Sequence, residues 1–258
     1  MFGWLRRRGT GRTIPDALWQ RVLARYPFLA ARPQAQQVQL RRLAAGFLAT
    51  KEFHGAQGFV ITDEVAVTIA AQAVLPVLHL GLKWYDDFVG IVVHRAEVLA
   101  RRTTTDESGV VHHWDEVLAG EAMERGPVML SWRDVAQSGA TAQQGYNVVI
   151  HEFAHKIDMR DGHADGCPPL PSRKARTHWL ATLDCEFQSF REKVIIAERF
   201  GGEAPWLDPY GAQAIDEFFA VAAEAWFVNR SRFEQDFLAL SLLFEGFFGR
   251  EPATAGPE

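Results

Sequence analysis

The stretch NVVIHEFAHKID, Asn147–Asp158, decides how the chain is read. Val148, Val149, Ile150, Phe153, Ala154 and Ile157 leave almost no polar face, which predicts a buried helix. The same helix carries His151, Glu152 and His155. Ionisable side chains in apolar surroundings are costly unless they are paired or hold a metal. Residues at i and i+4 project from one helical face, one above the other. HExxH therefore offers two imidazoles to one ion, with Glu152 free to act on a water as general base. Zinc accepts such nitrogens at about 2.0–2.1 Å in tetrahedral geometry.

A third protein ligand is needed. The extended pattern HExxHxxGxxH requires glycine and histidine where this chain has Asp158 and Asp161. His163 lies close in sequence but misses the spacing. The remaining route is a carboxylate from a second helix. IDEFFAVAAEAWF, Ile215–Phe227, offers Glu217 and Glu224 on one face of an apolar run, and spacing leaves the two as alternatives. Asp158 stands on the face of His151 and His155. It is placed either to fix the tautomer of a ligand imidazole or to join a salt bridge in the loop that follows.

Outward from this helix, PDALWQRVLARYPFL and AQQVQLRRLAAGFLATKEF place apolar residues at three- and four-residue steps and read as helices. GFVIT, residues 58–62, reads as a short strand, and an apolar helix is expected from Asp63 to Leu82. FVGIVVHRAEVLA and GPVMLSW read as strands, Arg101–Ser108 as turns, and QSGATAQQG as a loop. GPVMLSW is either an ordinary core strand or the edge along which a peptide lies. Helices are expected over 174–200, over AIDEFFAVAAEAWFVN and over Phe233–Phe248, separated by the loops MRDGHADGCPPLPS and GGEAPWLDPYGA. Strands gather in the first half and helices in the second, which predicts an α+β fold rather than a doubly wound sheet. One domain over 13–250 is expected, its two lobes divided near 140, with 1–12 and 251–258 as flexible ends.

Composition excludes several function classes. The 48% hydrophobic and 23% charged residues are those of a soluble globular chain, and 18 Phe with eight Trp supply a large core. A net charge of −5 argues against a nucleic-acid partner held by overall basicity. Cys167 and Cys185 form no CxxC pair, which favours a reducing compartment. VAVTIAAQAVLPVLHLGLKW is interrupted by Gln72, Pro76 and His79 and reads as core, so no membrane span is expected. MFGWLRRRGTGR is not followed by a continuous apolar run, so a cytoplasmic location is expected.

HEFAHKIDMRDG, together with DPYGAQAIDEFFAVAAEAWF, LPVLHLGLKWYDDF and GPVMLSW, resembles the Mlc titration factor A family of bacterial zinc metallopeptidases. The catalytic domain of that family is similar to that of anthrax lethal factor. The resemblance implies a zincin-like fold, mostly helical with a small mixed sheet, and one zinc per chain. It implies His151, His155 and Glu217 as metal ligands and Glu152 as the catalytic base. Tyr210, seven residues before Glu217, would donate a hydrogen bond to the oxyanion; Glu224 is then a supporting or packing residue. The implied activity is aminopeptidase-like hydrolysis of peptides or proteins, with binding of the glucose repressor Mlc in enteric bacteria. Two other readings remain: a regulatory protein that sequesters a repressor, and a hydrolase of non-peptide amides.

Overall fold

The computed structural model describes residues 13–105 and 111–249, and only the backbone of 98–105 and 111–118. The expected flexible ends, 1–12 and 251–258, lie outside the described residues. Three helices come first: α1 (Asp16–Arg25), α2 (Pro27–Ala30) and α3 (Gln34–Thr50). Their periodic apolar residues, among them Trp19, Val22, Leu43 and Phe47, are buried. The pattern carries the third helix to Phe53, but the backbone becomes extended at Lys51 and forms β1 (Glu52–Gly55). GFVIT is not a strand: a 3-10 turn over Ala56–Gly58 leads through extended residues into α4 (Asp63–Ala73). Thr62 caps α4 by accepting the Val65 N–H at 3.2 Å, and Asp63 and Glu64 sit favourably in its first turn. The helix stops at Ala73 rather than Leu82 because Pro76 has no N–H and disfavours helical backbone at Leu75.

The remaining strands are β2 (Gly90–His94), β3 (Val98–Thr105), β4 (Val111–Leu118), β5 (Gly120–Ala122) and β6 (Val128–Ser131). FVGIVVHRAEVLA thus splits into β2 and the start of β3, and Arg101–Thr105, expected as turns, is extended. β3 and β4 form an antiparallel ribbon. The other four form a mixed sheet in the order β1-β2-β6-β5, with β1, β2 and β6 parallel and β5 antiparallel to β6. GPVMLSW is therefore an interior strand, and the edge beside it is β5. Ile91, Val93, Val128 and Leu130 alternate into the core at the period of two that a half-covered sheet requires.

Six α-helices complete the described residues: α5 (Trp132–Thr141), α6 (Val148–Asp158), α7 (Arg173–Phe200), α8 (Ile215–Val228), α9 (Arg230–Asp236) and α10 (Leu238–Phe248). α5 occupies much of the stretch read as a loop, QSGATAQQG. The single helix expected over Phe233–Phe248 is two, broken at Phe237, whose φ of −134° is not helical. The result is an α+β fold with a small mixed sheet. No described helix is long and apolar enough to cross a membrane.

α6 and α8 pack along one another at the centre. Phe153 of α6 meets Phe47 at 5.6 Å and Tyr85 at 5.0 Å between ring centroids. On the far side of α8, Phe218 stacks on Phe190 of α7 and Phe219 meets Phe244 of α10. The loop after α6 is pinned at Gly166: its N–H donates to Asp158 Oδ2 at 2.9 Å, and its carbonyl accepts Trp179 Nε1–H at 2.7 Å. Gly166 has φ of +73°, and a Cβ there would stand 2.7 Å from Leu183 and 3.0 Å from the Ile215 carbonyl. Gly166→Ala combines backbone strain with overpacking, so a loss of about 2 kcal/mol is expected. Thermal denaturation should show this as a fall of about 4–8 °C in Tm; an unchanged Tm would mean the loop does not tie α6 to α7 and α8.

Candidate metal centre

The site starts at Asn147, which is fully buried. Its Oδ1 accepts the Ile150 N–H at 3.0 Å and so caps α6. Its Nδ2 donates to Gln72 Oε1 of α4 at 2.8 Å, and its backbone N–H donates to Glu224 Oε2 of α8 at 2.6 Å. Three helices are thus registered to one another before the first turn of α6 is complete.

One turn on, His151 Nδ1 lies 3.2 Å from the other oxygen of Glu224. A carboxylate accepts, so the ring hydrogen belongs on Nδ1 and the lone pair on Nε2. That Nε2 stands 3.1 Å from Glu217 Oε2 and 3.2 Å from His155 Nε2, which is itself 3.3 Å from Glu217 Oε2. The three atoms make a nearly equilateral triangle. Ligands of a tetrahedral ion bound at about 2.0–2.1 Å are separated by about 3.3–3.4 Å, so the triangle has the size of one tetrahedral face. Lone pairs converging at this distance repel one another unless a cation lies among them. Two imidazoles and a carboxylate therefore fit a divalent ion of zinc type.

The charges agree with this. Burial disfavours charge on His151, but Glu217 and Glu224 outweigh it and hold the imidazole well above its usual range. Burial likewise acts against the Glu217 carboxylate, yet His151 and His155, facing it at 3.1 and 3.3 Å, hold its pKa well below the usual range. The pocket stabilises positive charge at its centre, whether a proton or a metal ion supplies it.

Glu152 is buried beside β5. A Cβ on Gly120 would stand 2.3 Å from Glu152 Oε1, so only glycine lets the edge strand approach this carboxylate. Burial pushes the Glu152 carboxyl up to about 7, while the two imidazoles pull the other way. A bound cation would pull it further down. The turn after β5 is gripped from the same helix: the buried Lys156 Nζ donates to the carbonyls of Met123 at 2.6 Å and Gly126 at 3.1 Å. Its ammonium also lies 4.4 Å from the Phe88 ring centroid.

Tyr210 lies across from α6, its ring centroid 6.1 Å from that of His151. With Gly120, Tyr146, Glu152 and Asp208 it lines a cavity of about 300 Å³ that reaches His151. The structure thus brings together the five residues that the resemblance implies as ligands and catalytic groups: His151, Glu152, His155, Tyr210 and Glu217. His163 is exposed and stands apart from the triangle. Asp158 takes neither expected role. It accepts the Gly166 N–H, its Oδ1 has no hydrogen-bond partner among the described residues, and burial pushes its carboxyl up to about 7. Glu224, an open alternative by spacing, faces the far nitrogen of His151 rather than the triangle. Of the residues that sequence reasoning missed, Asn147 and Asp208 carry a local signal, each capping the turn that follows it; Gly120 and Lys156 act through long-range neighbours.

Comparison with known families matches residues 2–249 to the one described as glucose-regulated metallo-peptidase M90. Mlc titration factor A of Yersinia pestis (strain Pestoides F) is 31% identical over 253 residues, covering 98% of this chain and 91% of that protein. Its counterpart in Yersinia pseudotuberculosis (serotype O:1b, strain IP 31758) is similar to the same extent, 31% over 253 residues.

Because Glu224 orients His151 from behind, Glu224→Ala should weaken zinc binding about 10–100-fold. Glu224→Gln keeps an acceptor oxygen for Nδ1–H and should weaken it less. Competition with a chromophoric chelator measures both; equal affinities in wild type and Glu224→Ala would remove this role from Glu224.

Proposed function

The chain belongs to the glucose-regulated metallo-peptidase M90 family, and on that premise we propose that it is a cytosolic, zinc-dependent, aminopeptidase-like peptidase of zincin-like fold. Its catalytic domain spans 13–250, in two lobes parted near 140. The observation that carries the reading is the triangle of His151 Nε2, His155 Nε2 and Glu217 Oε2, with Glu152 and Tyr210 on the wall of the adjoining cavity. His151, His155 and Glu217 would hold one zinc ion per chain. Bound there, the ion supplies Lewis acidity that polarises a carbonyl and acidifies a water.

The residues of the chain do the rest. Glu152 takes a proton from the attacking water at its carboxylate and passes it to the leaving amine. The Tyr210 phenol donates a hydrogen bond to the carbonyl oxygen as negative charge develops on it. Glu224 keeps the His151 hydrogen on Nδ1. The substrate lies as an added strand along β5, the sheet edge beside Glu152, so its backbone is held while the scissile bond enters the cavity. Gly120 keeps that edge open to the Glu152 carboxylate.

The name of the Yersinia relatives, Mlc titration factor A, and their match along 98% of this chain support a second role, binding a transcriptional repressor of the Mlc type. Such binding need not use the catalytic base. A repressor retained by the Glu152→Gln protein but not released or cleaved would place this role beside the peptidase.

Glu152→Gln should lower kcat about 10²–10⁴-fold while the protein keeps about one zinc per chain. Tyr210→Phe should lower kcat about 10²-fold, again with zinc retained. Peptide hydrolysis and metal content, measured on the same preparations, check both. Full activity in Glu152→Gln would exclude the mechanism, and full activity in Tyr210→Phe would exclude the phenol from it.

A further inference from the structure

One carboxylate on the cavity wall is not used by the reaction described above. Asp208 is half-buried and lines the cavity. Its Oδ1 accepts the Tyr210 N–H at 2.9 Å. Among the described residues its Oδ2 accepts no hydrogen bond, and no Lys, Arg or His nitrogen stands within 4.0 Å of either oxygen. The neighbouring acids differ: Glu217 faces two imidazoles, and Glu224 accepts from His151 and Asn147. Glu152, Asp208, Glu217 and Glu224 together outnumber the charges of one divalent ion. Negative charge is therefore left on the wall for a cation that the described residues do not provide.

The geometry points to Asp208 as the anchor for the free α-ammonium group of the peptide substrate, a specificity-determining contact that rests on the peptidase reading above. In an amino-terminal residue the nitrogen is only about 2.5 Å from the scissile carbonyl carbon. An anchor for that nitrogen must therefore stand on the wall of the reaction cavity itself, within a residue or two of the groups that act on the carbonyl. Asp208 is two residues from Tyr210, on the same turn, and its Oδ1 hydrogen bond fixes that turn. The ammonium of a lysine side chain lies much further from its own carbonyl and would be met outside this wall. Peptides with a blocked amino terminus would leave Asp208 desolvated and unpaired, which disfavours them.

The test uses Asp208→Asn in the full zinc-loaded chain, because asparagine caps the Tyr210 turn as well as aspartate does and removes only the charge. An all-alanine peptide amide is compared with its N-acetylated form. Wild type is expected to favour the free amine in kcat/KM by 10-fold or more, and Asp208→Asn to reduce that ratio about 10-fold, chiefly through KM, with zinc content unchanged. An unchanged ratio, or an equal loss on both peptides, overturns the anchor. A third arm uses an N-acetylated peptide containing lysine. If Asp208→Asn impairs this peptide and leaves the free-amine ratio alone, the carboxylate reads a side chain and the α-amine assignment is overturned.

A binding measurement separates failure of the anchor from failure of the peptidase reading. Calorimetry on Glu152→Gln should show L-alanine amide binding more tightly than N-acetyl-L-alanine amide, with the difference lost in Glu152→Gln/Asp208→Asn. If wild type hydrolyses no peptide, the peptidase reading fails while calorimetry still decides the anchor. No preference for the amine in Glu152→Gln overturns the anchor whatever the hydrolysis assays show.

Discussion

The buried carboxylate of Glu224 is the contact on which the rest of the site depends. One oxygen accepts the backbone N–H of Asn147, the residue that caps α6, and the other faces Nδ1 of His151 one turn further on. Glu217, seven residues earlier on the same helix, faces the opposite nitrogen of the same ring. A single imidazole is thus held between two carboxylates of one helix, which fixes both the rotation of α6 against α8 and the direction of the His151 lone pair. His155 follows because its place on α6 is set by that of His151. Buried ion pairs are weak contributors to net stability. Their effect here is to specify one arrangement.

That arrangement also explains why a hydrophobic helix tolerates its charges. Removing one member of a buried charged network leaves the others uncompensated, at a cost of about 3–5 kcal/mol for a single pair. His151, His155, Glu217 and Glu224 therefore behave as a unit, and the centre of the unit favours positive charge. Around it, the packing of Phe153, Phe218 and Phe219 makes α6 and α8 stiff supports. β5 is brought to Glu152 by a different device, the Lys156 ammonium gripping the carbonyls of the turn behind it. The triangle and the strand edge are both anchored on α6, so they hold their positions relative to one another.

Much of this was legible in the sequence, because α6 and α8 are long, periodic and apolar, and periodicity is a local signal. His151 and His155 followed from a four-residue spacing on one helix. The choice between Glu217 and Glu224 did not, since both lie on the same face; it came from a family resemblance, and the packing of α8 against α6 is what gives them different partners. Elements with weak or mixed local signals were misread. β1 continues an apolar helical pattern past Thr50 and becomes a strand only by pairing with β2. α5 contains Ser138, Gly139 and Thr141 and looks like a loop, while the break at Phe237 is set by its burial against Phe190 and Phe218. The interior position of β6 depends on sheet order, which no single segment encodes. Gly120 and Lys156 share that difficulty, because each acts on groups far away in the chain.

The central claim is that His151, His155 and Glu217 surround one ion. X-ray absorption at the zinc edge of the zinc-loaded chain tests it most directly. The account predicts one zinc per chain with two imidazole nitrogens and oxygen ligands, all at about 2.0–2.2 Å, and no sulfur. A sulfur neighbour at about 2.3 Å, or a third imidazole in place of the carboxylate, would contradict it.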